Sequence, residues 1–352
     1  MTTQTLPGHG AATLPAATVD TYNAEMRDAD GFVGDRASRR AFMAMVDDAR
    51  DRLRKHGEDP LGDKPTEELA KRNLDKLLLG GDAEAAALIH GAVEEFAQEL
   101  AAVTRRFLRL KPWRDTERIV IGGGLRDSRI GELAIGRAAL LLKSEGAEVQ
   151  LQPIRHHPDE AGLVGAVQLA PTWMFGGHDA ILGVDIGGTN MRAGLVRLNL
   201  GKAADLARAE VVEREVWRHR DDKPTREAAT QRLGEMLRDL VARGAKEKLK
   251  LAPFIGVGCP GIIETDGAIR RGGQNLPGNW ESSRFNLPQC LQQMLPEIGG
   301  HETMVVLHND AVVQGLSELP FQQDVAHWGV LTIGTGLGNA RFSNREKAGK
   351  RA

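Results

Sequence analysis

The chain has 352 residues, of which 41% are hydrophobic and 27% charged, and its formal net charge is −2 at pH 7. This length suits two domains or one two-lobed enzyme, and the near-neutral charge argues against nucleic acid as the principal partner. Two cysteines are too few for a disulfide framework or a four-thiolate zinc site, and no apolar run approaches a membrane span, so the sequence predicts a cytoplasmic protein without a membrane partner.

The first 180 residues are predicted to be helical and then mixed. About 30 residues rich in Thr, Ala, Pro and Gly lack periodicity and predict a loop or a partly mobile arm. Apolar residues at helical spacing then predict three helices, over Ser38–His56, over Thr66–Leu79 and from the capping residue Asp82 to Leu110. Strands over 118–124 and 148–154, with a helix over 131–143 between them, predict a mixed or parallel α/β sheet.

Residues 181–190 are the most informative segment. An apolar run that suits a buried strand ends on an acid, which two glycines and two small polar residues follow. These five residues are Asp185, Gly187, Gly188, Thr189 and Asn190. Glycine allows φ > 0 and a close approach to a ligand, while an acid beside phosphate is tolerated through a metal or its waters. The segment therefore predicts a phosphate loop for a nucleotide with Mg²⁺, which Asp185 would hold through water.

A second segment of this kind lies near the C-terminus. Strands are predicted over 191–197, 211–218, 254–258 and 304–307, with a helix over 225–242. Trp328–Ile333 then leads into Gly334, Thr335 and Gly336 and a further strand. Two such hairpins predict two related lobes with a nucleotide between them, and the absence of Gly-x-x-x-x-Gly-Lys-Ser/Thr argues against a P-loop enzyme.

Four segments resemble, in order, those of the ROK sugar kinases in the actin, hexokinase and Hsp70 superfamily. The 185–190 loop resembles the first phosphate motif, and the Gly334–Gly336 turn the second. Cys259–Gly261 with Asn275–Trp280 is similar to the sugar-binding segment, and Asn309-Asp310 to the catalytic pair. The resemblance implies an α/β, two-lobed actin-like ATPase (ribonuclease H-like) fold with a cleft between the lobes, and it implies ATP, Mg²⁺ and a hexose as ligands.

The family's remaining half resembles the segment in front of the first phosphate motif. Gly122, Gly123 and Gly124 are similar to its adenosine-binding glycines, although they could equally serve a tight turn. The resemblance thus implies a circular permutation with its joint near Pro171–Asp179. The larger lobe, with the adenosine glycines and the second phosphate loop, would be residues 1–178 plus 320–352. The smaller lobe, with the first phosphate loop, sugar segment and catalytic Asp, would be 179–319.

The resemblance also assigns site residues. Asp310 would be the general base, with a helix N-cap as the alternative, and Asn309, Asn275 and Gly261 would bind the sugar, with turn stabilisation as the alternative for both asparagines. His9 is the candidate for the histidine of the family's Glu-x-Gly-His sugar motif, although Leu6 stands where the glutamate would be. The family's zinc cysteines are absent, so no zinc site is predicted.

Two functions from different classes follow. The first is a hexokinase or glucokinase-type enzyme that phosphorylates a glucose-like hexose at the 6-hydroxyl with ATP, with a homodimer as a conceivable assembly. The alternative is a ROK-type sugar-responsive regulator or binding protein without kinase activity. The retention of both phosphate motifs and of Asn309-Asp310 favours the kinase, and the Asn275–Trp280 segment disfavours an Hsp70-like ATPase that takes no sugar.

Overall fold

A computed structural model describes residues 8–29, 31–80 and 82–345, which fall into two compact units. The first unit contains the described residues up to Asn23, then Arg155–Ala326, and the described residues from Ala340 onward. The second contains Ala24–Ile154 and His327–Asn339. These boundaries do not coincide with the predicted 178/179 and 319/320, because residues 8–23, 155–178, 320–326 and 340–345 belong to the same unit as the Asp185 loop. Leu6 lies outside the described residues.

Strands and helices are interspersed along the chain. The strands are β1 (Ala17–Tyr22), β2 (Arg27–Asp28), β3 (Gly31–Phe32), β4 (Arg118–Gly122), β5 (Gln150–Pro153), β6 (Ala180–Ile186), β7 (Met191–Arg197), β8 (Glu210–Trp217), β9 (Leu251–Cys259), β10 (Ile262–Ile263), β11 (Ile269–Arg271), β12 (Glu297–Ile298), β13 (His301–Glu302), β14 (Met304–Asn309), β15 (His327–Ile333) and β16 (Leu337–Asn344). The α-helices are α1 (Arg39–Arg54), α2 (Lys71–Gly80), α3 (Ala83–Arg109), α4 (Arg129–Ser144), α5 (Pro158–Gly165), α6 (His219–Asp222), α7 (Arg226–Lys246), α8 (Leu287–Met294) and α9 (Asp310–Leu316).

The first unit is built on a five-stranded sheet with the order β14-β9-β6-β7-β8. Strands β14, β9 and β6 are parallel, whereas β6, β7 and β8 form an antiparallel meander. Every residue of β6 is buried, as expected for an apolar run in the middle of a sheet with parallel neighbours. The adjacent apolar core takes residues from β6, β7, β9 and β14 and from helices α7 and α8.

Helix α5 packs unusually closely in this unit because two of its residues are glycines. A Cβ placed on Gly162 would lie 2.6 Å from Cγ of Asp185, and one on Gly165 would lie 1.7 Å from the Val313 carbonyl oxygen of α9. Either methyl group would need backbone or buried side-chain movement. The glycines therefore let α5 contact both β6 and α9, which carry the two acids of the predicted site.

The second unit combines a parallel strand set with long helices. Strand β4 pairs in parallel with β15 on one side and with β5 on the other. Ile119 lies opposite Gly329 and Gly122 opposite Thr332, so these two segments, far apart in the chain, share one sheet. Ser38 and Asp82 cap α1 and α3 by accepting hydrogen bonds from Ala41 N and Ala85 N, at 3.2 and 2.7 Å. Both helices pack into the unit's apolar core with α2 and α4.

Two elements differ from their predictions. The predicted N-terminal loop contains β1, which pairs antiparallel with residues 340–344 of β16. Its sequence Ala-Thr-Val-Asp-Thr-Tyr is rich in residues that favour strands. The predicted helix over Thr66–Leu79 starts as a 3-10 turn at Thr66–Glu68, and α2 begins only at Lys71. Within the described residues, no helix has the length and apolar character that crossing a membrane requires.

Candidate active site

The predicted site residues of the first unit meet at the carboxyl ends of its three parallel strands. In the strand register, Asp185 of β6 lies opposite Gly258 of β9, and Cys259 lies opposite Asn309 of β14. The first phosphate loop, the Pro-Gly turn after β9 and the Asn309-Asp310 pair therefore lie along one edge of the sheet. Ligands of open α/β sheets bind at this kind of edge.

Asp185 is buried and paired with an arginine on the neighbouring strand. Its Oδ2 accepts a hydrogen bond from Nη1 of Arg192 at 3.1 Å, and Nε of Arg192 donates to Oδ1 of Asp159 at 2.8 Å. Burial raises the pKa of Asp185, while the Arg192 charge lowers it and the Asp159 charge raises it. Arg192 thus links β6 to the first turn of α5 through two carboxylates.

The second carboxylate oxygen of Asp185 bears on the predicted Mg²⁺. This oxygen, Oδ1, is buried, and no donor among the described residues lies at hydrogen-bonding distance and angle from it. The Gln314 side chain is close enough to the carboxylate to lower the pKa of Asp185. A hard oxygen donor with spare capacity fits Mg²⁺, which proteins commonly hold with one or two carboxylates, waters and substrate phosphates. The described residues contain no cluster of three or more metal-ligating side chains.

The first phosphate loop is a compact turn between β6 and β7. Gly187 N donates to Asn190 O at 2.9 Å, and the Gly187 carbonyl accepts from Nε2 of His219 at 2.8 Å. Gly188 approaches the predicted sugar segment so closely that a Cβ on it would lie 2.9 Å from Cβ of Asn275. The structure therefore brings the phosphate loop and Asn275 together, and Asn275 itself is exposed.

Asp310 is the first residue of α9, directly after β14. Its side chain is partly buried. Burial raises the pKa of Asp310 to about 7, and the nearby Asp185 carboxylate adds to the rise. The same two carboxylates, after burial itself, raise the pKa of the Cys259 thiol. An acid of this kind exchanges protons near neutral pH, as a general base requires.

Asn309, and not Asp310, occupies the N-cap position of α9. Its Oδ1 accepts hydrogen bonds from Ala311 N and Val312 N at 3.0 and 3.3 Å, and its Nδ2 donates to Gly261 O at 3.0 Å. The cap of α9 is therefore Asn309, and Asp310 adds one bond to Ala311 N. Sugar binding by Asn309 remains a prediction and would use its second amide hydrogen.

Gly261 has a backbone conformation that favours glycine. Its φ is +110°, and a Cβ on it would lie 2.5 Å from the Arg271 carbonyl oxygen. Its own carbonyl accepts the bond from Asn309 described above. The structure thus gives Gly261 a clear role in shaping the turn after β9, while its contact with a sugar stays a prediction.

His9 lies beside the edge strand β14. Its Nδ1 accepts from Leu307 N at 3.1 Å, and Gly10 N donates to Leu307 O at 2.9 Å. Burial lowers the pKa of His9, against a smaller rise from Asp266. The N-terminal segment that contains the predicted sugar histidine is thus held two residues before Asn309, and sugar binding by His9 would use its other ring nitrogen.

The glycine segments of the second unit are shaped by backbone contacts. Gly123 has φ +88°, and a Cβ on it would lie 2.2 Å from the Ile333 carbonyl oxygen, whereas Gly124 has open space. Between β15 and β16, Gly334 N donates to Gly336 O at 2.9 Å, and Gly334 O accepts from Arg39 N at 3.1 Å. Both segments are tight turns, and Gly122–Gly124 therefore serve the turn that was the alternative to adenosine binding. The binding of adenosine and of phosphate by these segments stays a prediction.

Sequence reasoning missed several residues of this edge. Arg192 could have been found by counting outward from the hairpin, because Ile186 pairs with Met191 and Asp185 therefore faces Arg192. His308 gave no such signal. It is fully buried, its Nδ1 accepts from Asn309 N at 2.7 Å, and its Nε2 lies 3.2 Å from Ala11 O. Burial lowers the pKa of His308 to about 4, so its ring stays neutral.

Comparison with known proteins gives partial overlaps with sugar kinases. No protein-family profile and no curated protein matches the chain. A ROK hexokinase from Thermus thermophilus shares 23% identity over 38% of this chain and 35% of its own, with a TM-score of 0.27. A protein from Listeria monocytogenes that is assigned as an N-acetylmannosamine kinase shares 26% sequence identity. The match covers 49% of this chain and 51% of that one, with a TM-score of 0.32. A protein from Cytophaga hutchinsonii that is assigned as a sugar kinase shares 20% sequence identity. The match covers 47% of this chain and 48% of that one, with a TM-score of 0.33.

The chain therefore spans between about a third and a half of each of these structures. Overlaps of this extent determine neither the fold nor the activity of the chain, which depend on its own residues.

Proposed function

We propose that the protein is an ATP-dependent sugar kinase of the ROK type that phosphorylates a glucose-like hexose at the 6-hydroxyl, with Asp310 as general base. The observation that carries the proposal is the position of Asp310. It directly follows β14, its pKa is raised to about 7, and it is on the same sheet edge as the Asp185 loop. Phosphoryl transfer needs such a proton acceptor beside a phosphate-binding loop.

The proposed reaction is a direct displacement. The Asp310 carboxylate accepts the proton of the sugar hydroxyl while the hydroxyl oxygen forms a bond to the γ-phosphorus, the bond from that phosphorus to the β,γ-bridging oxygen breaks, and ADP leaves. Because Asp310 has a pKa of about 7, a large fraction is ionised at neutral pH and its conjugate acid can release the proton to water afterwards.

The remaining roles follow the positions of the residues. Asn275 is adjacent to the phosphate loop and is proposed to bind a sugar hydroxyl, with contributions from Asn309, Gly261 and His9. Within the first unit, the turn 187–190 is proposed to bind phosphate. Within the second, the turn 334–336 is proposed to bind phosphate and Gly122–Gly124 to approach adenosine. Mg²⁺, which Asp185 would hold through water, neutralises charge on the phosphates when it is bound.

We also propose that the chain is circularly permuted relative to ROK kinases. The supporting observation is that β4, which precedes the Asp185 loop in the chain, pairs in parallel with β15, which follows it. The predicted joint at 171–179 is a 3-10 turn (Thr172–Phe175) followed by Gly177 at φ +80°. A short turn of this kind can connect two ends of a fold without disturbing its packed core.

The test is an assay of ADP release with ATP, Mg²⁺ and a panel of hexoses that includes glucose, N-acetylglucosamine and N-acetylmannosamine. At least one hexose is expected to stimulate ADP release, with the phosphate recovered on the sugar by mass spectrometry. Asp310→Asn is expected to lower kcat by about 10²- to 10⁴-fold and to leave sugar binding within a few-fold. Sugar binding without any stimulated release of ADP would identify the alternative, a sugar-binding protein without kinase activity.

A further inference from the structure

A short segment between β8 and α7 contacts both loops that the proposed function assigns to ligands. We call residues 218–226 the connector, residues 187–190 the phosphate loop and residues 273–281 the acceptor loop. The connector contains α6 and ends at the first residue of α7. All three segments belong to the first unit.

At one end, the connector is bonded to the phosphate loop. His219 is buried, and its Nε2 lies 2.8 Å from Gly187 O, a distance at which the ring must donate because a carbonyl can only accept. Arg220 N donates to Thr189 O at 3.3 Å. The His219 ring also packs edge-on to Trp217, with ring centroids 6.0 Å apart. The orientation of the phosphate loop is thus set from the connector as well as from β6 and β7.

At its other end, the connector is bonded to the acceptor loop through Arg226. Nη1 of Arg226 donates to Asn279 O at 2.6 Å, and its guanidinium lies 4.6 Å from the ring centroid of Phe285. Gly278, at φ +77°, approaches so closely that a Cβ on it would lie 3.0 Å from Cβ of Arg226. The charge-assisted hydrogen bond holds the loop directly, and the cation–π contact holds the guanidinium against Phe285, which packs edge-on to Trp280 of the loop.

The acceptor loop is also braced internally, so that a constraint at Asn279 extends along it. Gly273 N donates to Oε1 of Glu281 at 2.9 Å, which closes the base of the loop. Trp280 is buried, and its Nε1 donates to Pro277 O at 2.7 Å. The far side of the loop meets the phosphate loop directly, where Asn275 is in contact with Gly188.

We propose that His219 and Arg226 are positioning residues that hold the phosphate loop and the acceptor loop in one arrangement, so that sugar and nucleotide bind cooperatively. The inference rests on the proposed function. Ordering one loop by its ligand lowers the entropy loss for ordering the other, because both loops are bonded to the same short segment and contact each other. Neither residue is proposed to touch the reacting atoms.

The experiment measures ligand affinities separately by calorimetry and loop protection by hydrogen exchange. The ligands are glucose, or the best hexose of the panel, and MgADP, each alone and in the presence of the other. Arg226→Met removes the donor and keeps an aliphatic stem, and Arg226→Lys is its conservative partner. His219→Phe removes the ring donor, and His219→Gln retains a donor near the Nε2 position.

Matched controls come from the same unit. Arg238→Met removes another α7 arginine, one that donates to Met294 O, away from both loops. His301→Phe removes an exposed histidine of β13. Neither control is expected to change an affinity by more than about twofold, since surface substitutions away from special contacts have small effects.

In the wild type, the sugar is expected to raise the affinity for MgADP by about 5- to 10-fold, and MgADP to raise the sugar affinity by the same factor. Arg226→Met should weaken sugar binding about tenfold with little change in kcat, and should remove this cooperativity, with partial recovery in Arg226→Lys. His219→Phe should weaken MgADP binding about tenfold and also remove the cooperativity, with recovery in His219→Gln.

Hydrogen exchange gives a readout without any ligand. Amides of residues 273–281 should exchange about tenfold faster in Arg226→Met, and those of 187–190 in His219→Phe, with both controls unchanged. The proposal is overturned if ligands bind the wild type independently, or if the variants match their controls in affinity and exchange. If neither a hexose nor MgADP binds the wild type, the proposed function fails and the cooperativity with it, while the exchange data separately decide whether the connector holds the loops.

Discussion

The sheet edge of the first unit and the glycine turns of the second differ in what defines their shape. At the sheet edge, buried and partly buried polar side chains are bonded to one another, as in the Asp159–Arg192–Asp185 chain and the Asn309 cap. At the turns, backbone atoms make the contacts, as between Gly123 and Ile333 or between Gly334 and Gly336. Buried charges are retained only at a cost in stability.

This difference separates a region whose shape depends on charged side chains from a region whose shape depends on close backbone contacts. The proposed catalytic edge holds charge in an environment that shifts pKa values, and the pKa of Asp310 is raised there to about 7. A backbone turn that receives a ligand needs only the absence of side chains. The first region should therefore be sensitive to the removal of a charged group, and the second to the addition of a methyl group.

The largest expected effect is at Arg192. Arg192→Met leaves the buried Asp185 and the partly exposed Asp159 without their shared partner. It should lower the free energy of unfolding by about 3–5 kcal/mol, as is typical when a buried carboxylate loses its paired cation. The matched control is Arg197→Met on the same strand, where the partner Glu210 is 3.8 Å away and both side chains are exposed. Its effect should stay below about 1 kcal/mol in urea unfolding. Equal losses for the two variants would show that the buried charges do not define the first region.

A somewhat smaller effect is expected at Gly123. In Gly123→Ala the new methyl group would meet the Ile333 carbonyl, at a φ of +88° that disfavours a side chain. The loss in unfolding free energy should be about 2–4 kcal/mol, from backbone strain and overpacking together. Gly124→Ala has open space around its Cβ and should be nearly neutral in the same urea titration. A tolerated Gly123→Ala would contradict the backbone account of the turn.

The smallest effect is a gain in stability at Asp310. Because the folded-state pKa is raised from 3.8 to about 7, this group favours folding at low pH, and its contribution is lost as the pH rises through about 7. Asp310→Asn is neutral throughout, so at pH 8 it should unfold at a Tm about 2 °C higher than the wild type. The difference should be smaller at pH 5, where the folded Asp310 is protonated, and it should vanish only below about pH 3.8, the pKa of the unfolded acid. Calorimetry at the two pH values checks both, and an Asn variant that is less stable at pH 8 would refute the raised pKa.

The sequence predicted the regular elements of the fold well where one local signal dominated. Caps and periodicity located α1 and α3, and the apolar run located β6. It missed β1, because that strand is short and its partner, residues 340–344, lies more than 300 positions away in the chain. The compact units also could not be delimited, since α5 joins the first unit through glycine contacts that no local pattern shows.

The candidate site was predictable in its residues more than in their interactions. Asp185, Asn275, Asn309 and Asp310 were selected by their motifs, and the structure brings them to one sheet edge or to its loops. Their partners were not predictable in the same way, because His219 and Arg226 are polar residues in an unremarkable charged stretch. A hydrogen bond such as that of Arg226 to Asn279 spans 53 positions, so only the folded chain reveals it.

The most direct test of the account is the pH dependence of kcat/KM for the hexose, measured with excess Mg²⁺ so that MgATP keeps one charge state. If Asp310 accepts the proton, kcat/KM should be constant above pH 8 and should fall about tenfold per pH unit below about 7. The residual activity of Asp310→Asn should lack this decline. A wild-type profile that is flat between pH 6 and 8, or a decline that persists unchanged in Asp310→Asn, would contradict the assignment of Asp310 as the general base.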